Sequence, residues 1–178
     1  MKQLLLLLTL LLLATPVAAQ KVKVNYDKTA DFSKFKTYSW TRGVPAANPK
    51  INDIINNAVE QNLAAKGLTK VDKGGDLLLS VAVAIEYDVQ MTHAVRGNTG
   101  SSLQTGIPLA ASTPWEVRKG SLLVTLEHPA SNSLVWNGLA SDTLKYSPSA
   151  DIEKDAKRGE KPVRKEVEKL FKQYPPKK

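Results

Sequence analysis

The residues of this sequence best suited to chemistry are its two histidines, His93 and His128. Neither has a second histidine at the spacing of a metal-binding motif, so a metal site would need carboxylates from distant segments. The chain has no cysteine, which excludes thiol catalysis and thiolate ligands. No GxSxG motif marks a serine nucleophile, and no phosphate-binding pattern surrounds Gly74-Gly75. The sequence therefore predicts no catalytic residue, no metal ligand and no cofactor.

Two carboxylates, Glu86 and Asp88, lie two residues apart in a segment with strand periodicity. At that spacing they project from the same side of a strand, and they could perform acid–base chemistry if that side lined a cleft. The simpler interpretation, which we favour, is that they form the solvated side of an amphipathic strand near its end. A periplasmic hydrolase that pairs His93 or His128 with a nearby carboxylate is the alternative function.

The elements that must position these residues centre on one strand, Asp76 to Gln90. Its odd-numbered positions from 77 to 89 are all apolar, and its even-numbered positions are mostly small or polar. Side chains alternate across a strand, so this pattern predicts a long strand with one buried face. Strand patterns at 119–128 and 134–144, joined by a short turn, predict an antiparallel meander with it.

Two helices are predicted to cover the sheet. Asn48-Pro49 is typical of a helix start and Gly67 of a helix end, which predicts a helix over 49–66. Apolar residues at spacings of three and four predict a second helix over 162–174, with Pro162 in its first turn. We therefore expect a two-layer α+β fold, in which a mostly antiparallel β-sheet packs two helices on one face.

A long segment, residues 97–114, has no periodicity and is rich in Gly, Ser, Thr and Ala. Such a segment is usually either functional or a disordered linker, and the composition leaves both open. Binding residues are often carried by loops on a rigid scaffold, so this segment and its flanks are the predicted binding site. The candidate residues are Met91, His93, Arg96, Leu103, Ile107 and Trp115.

Residues 1–19 predict a cleaved signal peptide. A positive start is followed by an apolar run that is too short to span a bilayer, and small residues precede the expected cut after Ala19. We expect residues 20–178 to form a single domain with a flexible loop at 97–114. Because no cysteine follows the apolar run, we expect no lipid anchor attached through an N-terminal cysteine.

The net charge of +8, or +7 once Lys2 is removed, bears on partners. Exported basic chains rarely meet nucleic acid, so the expected partner is an envelope protein or an anionic envelope component. We expect no transmembrane segment after signal cleavage, and a location in the periplasm or on the envelope. The predicted role is a non-enzymatic binding or accessory module.

Several blocks of this sequence together resemble one family. The blocks are Tyr26-Asp27, 30–40, Lys66-Gly67, 75–77, 120–127, 134–138 and 170–176. They are similar to the bacterial domain of unknown function 4136. The resemblance implies an exported envelope protein, often a lipoprotein, with no established activity and no catalytic residues. This chain lacks the lipid-acceptor cysteine, and its 97–114 segment, which has no aromatic residue, is poorer in aromatics than the resemblance implies.

Overall fold

The computed structural model describes residues 21–92, 113–144 and 149–176. Within these residues the chain forms six strands, two α-helices and a short 3-10 turn at Phe32–Lys34. The strands are β1 (Lys21–Tyr26), β2 (Thr37–Trp40), β3 (Thr69–Lys70), β4 (Leu77–Thr92), β5 (Thr113–His128) and β6 (Ser133–Thr143). The helices are α1 (Pro49–Ala65) and α2 (Ile152–Phe171). The signal-peptide prediction for residues 1–19 lies outside the described residues.

The strands form one sheet in the order β1-β6-β5-β4-β2-β3. The predicted meander is present, because β4 pairs with β5 and β5 with β6, both antiparallel. On the other side of β4 the pairing is parallel. β2 pairs in parallel with β4 and also with β3. A parallel pair needs a crossover connection, and α1 supplies it between β2 and β3. The α+β prediction is confirmed, with a mixed sheet.

The buried face of the sheet follows the predicted alternation. Leu77, Leu79 and Val81 on β4 are buried, and Leu79 lies in register with Leu126 and, through it, Trp136. Trp136 is fully buried, stacks on Phe171 of α2 at 5.6 Å between ring centroids, and meets Tyr174 edge-on at 5.4 Å. This aromatic group joins the sheet to the end of α2.

The second helix begins earlier than predicted. It begins at Ile152, and the side chain of Asp151 accepts a hydrogen bond from the Lys154 backbone N–H at 2.9 Å as its cap. Pro162 is therefore inside the helix, and the prediction that it starts one is wrong. Pro162 is exposed, so water can reach the carbonyl that its missing N–H leaves unbonded. Buried residues on both sides of Pro162, such as Ala156 and Val167, hold the two halves on the core.

The hairpin strands are longer than predicted. β4 continues to Thr92, and β5 begins at Thr113 rather than at 119. Thr113 and Pro114 thus belong to β5 and not to the predicted loop, of which residues 97–112 lie outside the described part. Ile85 on β4 is 38% exposed, so the strand extends past the core that buries its first half.

Asp76 fixes the start of β4 against β2. Its Oδ2 accepts hydrogen bonds from the backbone N–H groups of Lys36 at 2.8 Å and Thr37 at 2.9 Å, and from the Thr37 hydroxyl at 3.0 Å. These donors lower the pKa of the Asp76 carboxyl. The residue before Asp76 is Gly75. A Cβ at that position would lie 2.6 Å from the backbone nitrogen of Ser39, so only glycine fits there.

We expect Trp136→Ala to lower the free energy of unfolding by about 3–5 kcal/mol, because it leaves a cavity between the sheet and α2. Trp136→Phe is the matched control. It keeps an aromatic ring and removes an indole N–H that has no hydrogen-bond partner among the described residues, so it should cost less. Denaturant unfolding measures both. An alanine variant as stable as the wild type would contradict the packing role of Trp136.

We expect Asp76→Asn to lower the melting temperature at pH 7, because a neutral amide accepts the three hydrogen bonds less strongly than a carboxylate. The pKa is lowered on folding, so this stability is complete above the unfolded pKa of about 3.9. It is lost as the pH falls through the folded pKa. Melting curves across pH should therefore converge for the two proteins in acid. Asp72→Asn, in the preceding turn, is the control and should melt like the wild type throughout.

Candidate functional site

The structure separates one pair of groups of the alternative hydrolase, His128 and Glu86. His128 is exposed at the end of β5, where its Nδ1 accepts a hydrogen bond from the Ala130 N–H at 3.4 Å. Glu86 is exposed, as predicted, and lies opposite Lys119, nine residues before His128 on the same strand. At the rise of a β-strand this separation is about 30 Å. His128 therefore cannot act with Glu86. His93, the other candidate, lies outside the described residues.

Two concave surfaces of the described residues are shallow. A small cleft of about 170 Å³ lies between the end of β2 and α1, and a wide groove of about 640 Å³ runs along α2. The cleft is lined by Trp40, Thr41, Gly43, Pro45, Asn52, Asn56 and Val81, so none of its side chains titrates near neutral pH. Within the described ranges, no three His, Asp or Glu side chains are grouped to hold a metal ion.

The two tyrosines whose pKa values are raised are part of the core. Burial, together with the charge of Glu60, raises the pKa of Tyr38 to about 12, and burial raises the pKa of Tyr174 to about 12. Both side chains are only 2% exposed. Groups that stay protonated and inaccessible at neutral pH serve packing rather than proton transfer.

Two of the predicted binding residues are brought together by the β4–β5 pairing. Met91 lies opposite Pro114, and Trp115 lies opposite Gln90, on adjacent rungs. The remaining candidates lie outside the described residues; they are His93, Arg96, Leu103 and Ile107. Met91 and Trp115 belong to a two-stranded extension of the sheet, residues 87–92 and 113–118, which we call the ribbon.

The ribbon begins where the neighbouring strands end. On one side, the last described backbone bond to β4 runs from the Val83 N–H to the Val44 carbonyl. On the other side, the last bond that the described residues make runs from the Leu144 N–H to the Arg118 carbonyl. Six further pairs continue from Tyr87–Arg118 to Thr92–Thr113. Along one strand the ribbon therefore extends about 17 Å.

The two edges of the ribbon differ. Because backbone groups alternate in direction along a strand, those of the odd-numbered residues from Ile85 to Met91 face away from β5. No strand in the described part of the chain pairs with them. On the β5 edge, the backbone groups of Pro114 face the same way as those of Arg118, away from β4. The N–H that proline lacks is therefore one that would face outward, and the pairing with β4 is intact.

A charged surface on α2 escaped the sequence analysis. Five basic residues at spacings of three, one, three and four share its exposed side, and we call them the basic row. They are Lys154, Lys157, Arg158, Lys161 and Lys165. The spacing was visible in the sequence. Because the predicted helix begins at residue 162, the prediction leaves residues 154–161 outside it and does not put these cations on one helix face.

No helix among the described residues is both long and apolar enough to span a bilayer. Comparison with curated proteins gives no match. A PDZ domain protein from Parabacteroides distasonis has a similar structure, with a TM-score of 0.53, 18% identity and 89% of this chain covered. This chain spans about a third of that protein, 36% of its length, so the likeness concerns the fold of that part alone.

Two other solved structures overlap less well. The PelC dodecamer from Paraburkholderia phytofirmans gives a TM-score of 0.48 at 13% identity, covering 86% of this chain and 95% of that one. A minor lipoprotein from Acinetobacter baumannii gives 0.41 at 12% identity, covering 78% and 91%. The sequence itself gives a more direct result, a match to a family model over residues 22–176. The chain therefore belongs to the family of the domain of unknown function DUF4136.

Proposed function

We propose that this protein is an exported, non-enzymatic binding module of the bacterial envelope, and that it contacts an envelope protein through the ribbon. The observation that carries the proposal is the continuation of β4 and β5 beyond the strands that flank them. This two-stranded extension is held on a rigid sheet. Binding elements are commonly built in this way.

The β4 edge of the ribbon supports this role. Its outward backbone donors and acceptors can pair with an added strand, which is a general mode of peptide recognition. The outermost strand on the β6 side of the sheet, β1, carries Lys21 and Lys23, and charges of this kind discourage strand addition. The ribbon is therefore the better-suited edge for a partner. Met91 and Trp115 occupy adjacent rungs near its outer end.

Export is the second part of the proposal and rests on the composition of residues 1–19. We expect cells that express the whole chain to release a mature protein that begins at Gln20. Intact mass spectrometry of the envelope fraction measures the processed end. A mass that retains the leucine run would contradict cleavage, and recovery from the cytoplasm would contradict export.

The ribbon can be removed without disturbing the core strands. Replacing residues 89–116 with an Asn-Gly turn joins Asp88 to Val117, a pair whose backbone groups face each other, as a two-residue hairpin requires. We expect the melting temperature to change by only a few degrees, because residues 77–83 and 122–126 keep their buried neighbours. A photo-crosslinking residue at Glu86 is kept in both proteins. It should capture a discrete partner in intact cells only when the ribbon is present.

The opposite end of the sheet provides the matched control. Replacing the β5–β6 turn, residues 129–132, with Asn-Gly also shortens a hairpin, and it should leave crosslinking from Glu86 unchanged. If the protein without its ribbon still captures the same partner, the ribbon is not the contact surface. The remaining sheet edges, β1 and β3, would then be the place to test.

A further inference from the structure

We propose that the basic row on α2 binds the phosphate groups of an anionic phospholipid surface. This inference goes beyond the proposed function, since it concerns a different surface and a different class of partner. It does not depend on the ribbon.

The basic row is defined by helix geometry. With 3.6 residues per turn, its five members fall within an arc of about 100° on one side of α2. From Lys154 to Lys165 the row is about 16 Å long at the rise of an α-helix. All five residues are exposed. A straight row of this kind can meet a flat surface with all of its charges at once.

The charges of the basic row are not neutralised by neighbours. The acidic residues of α2 that form ion pairs do so with other cations: Glu160 with Arg164 at 3.1 Å, Glu166 with Lys169 at 3.3 Å, and Glu168 with Lys172 at 3.1 Å. At the start of the helix, Glu153 pairs with Lys50 of α1 at 2.9 Å. None of the five members of the row forms an ion pair within the described residues.

The helix beside the row adds little negative charge. The exposed side of α1 presents Asp53, Asn57 and Gln61, of which only Asp53 is acidic. Gln61 accepts a hydrogen bond from Arg164 at 3.2 Å. Glu60 points to the other side of α1, where it accepts hydrogen bonds from Trp40 and Lys70. The outer face of the helical layer is therefore positive along α2.

The apolar side of α2 determines how the row would meet a membrane. Val167, Leu170 and Phe171 are buried against the sheet, so they are not available for insertion among acyl chains. Binding must then be electrostatic, between long flexible cations and headgroup phosphates, and it must weaken with salt. The open groove that the row borders offers no enclosed site for a small anion. Both features favour an extended anionic surface over a single bound ion.

Vesicle binding tests this inference. We expect the protein to bind vesicles that contain phosphatidylglycerol and not vesicles of phosphatidylcholine, with binding lost at high salt. The row variant K154Q/K157Q/R158Q/K161Q/K165Q should bind at least about tenfold more weakly, because each cation near an anionic surface adds to affinity. Glutamine is a good helix former, so α2 should persist, and circular dichroism checks this.

The control variant changes net charge equally but away from the row. K23Q/K28Q/R42Q/K66Q/K73Q removes five exposed cations that are scattered over β1, the loops and the end of α1. All variants share the same N-terminal segment, so differences between them report on the row. If the control loses as much binding as the row variant, net charge and not the row is responsible, and the inference fails.

Two further results would also overturn it. One is binding to soluble polyphosphate without binding to phosphatidylglycerol vesicles, which would point to a dissolved polyanion. The other is wild-type binding that does not change with salt. Should the fivefold variant unfold, the double variant K157Q/K161Q applies the same test, and it must weaken vesicle binding while its melting curve stays close to that of the wild type. Loss of partner crosslinking at the ribbon would not affect any of these readouts.

Discussion

The antiparallel pairing of β4 with β5 is the interaction on which the rest of the molecule depends. It is a continuous ladder from Leu78–Glu127 to Thr92–Thr113. Its first half has strands on both sides and two helices beneath it, and there one face of both strands is buried: Leu77, Leu79 and Val81 on β4, and Leu122, Val124 and Leu126 on β5. Its second half continues after those neighbours have ended. One ladder therefore provides both the centre of the core and the extension that projects from it.

Much of the fold follows from local patterns. The alternation in β4 predicts which side chains of residues 77–81 are buried, because side-chain direction in a strand depends only on sequence parity. Asn48 and Gly67 predict the ends of α1 to within a residue, since both act through the backbone at their own positions. The parallel pairing of β2 with β4 is different in kind. It depends on Asp76 meeting Thr37 from 39 residues away, and no local pattern contains that contact.

The wrong prediction of where α2 begins shows how one local rule can leave a charged surface, the basic row, unpredicted. A proline lacks a backbone donor, and this rule predicts that Pro162 lies in the first turn of a helix. The cap at Asp151 and the buried Asp155, which accepts hydrogen bonds from both the N–H and the hydroxyl of Ser149, favour a start ten residues earlier. Only with that start do Lys154 and Lys165 share one side of a helix. Of the predicted binding residues, the sequence placed Met91 and Trp115 beside the 97–114 segment. It could not indicate that they lie on paired strands, because Pro114 interrupts the strand pattern.

Pro114 also limits how copies of this protein can associate with one another. A sheet extension with two equal edges would let each molecule receive a strand on one side and offer one on the other, and such head-to-tail contacts polymerise. Here the β5 edge lacks one donor at Pro114, while the β4 edge keeps all of its own. Pairing of β4 with β4 from a second copy closes on itself through a two-fold axis and uses up both competent edges. Within the ribbon, the position of one imino acid thus disfavours head-to-tail strand addition.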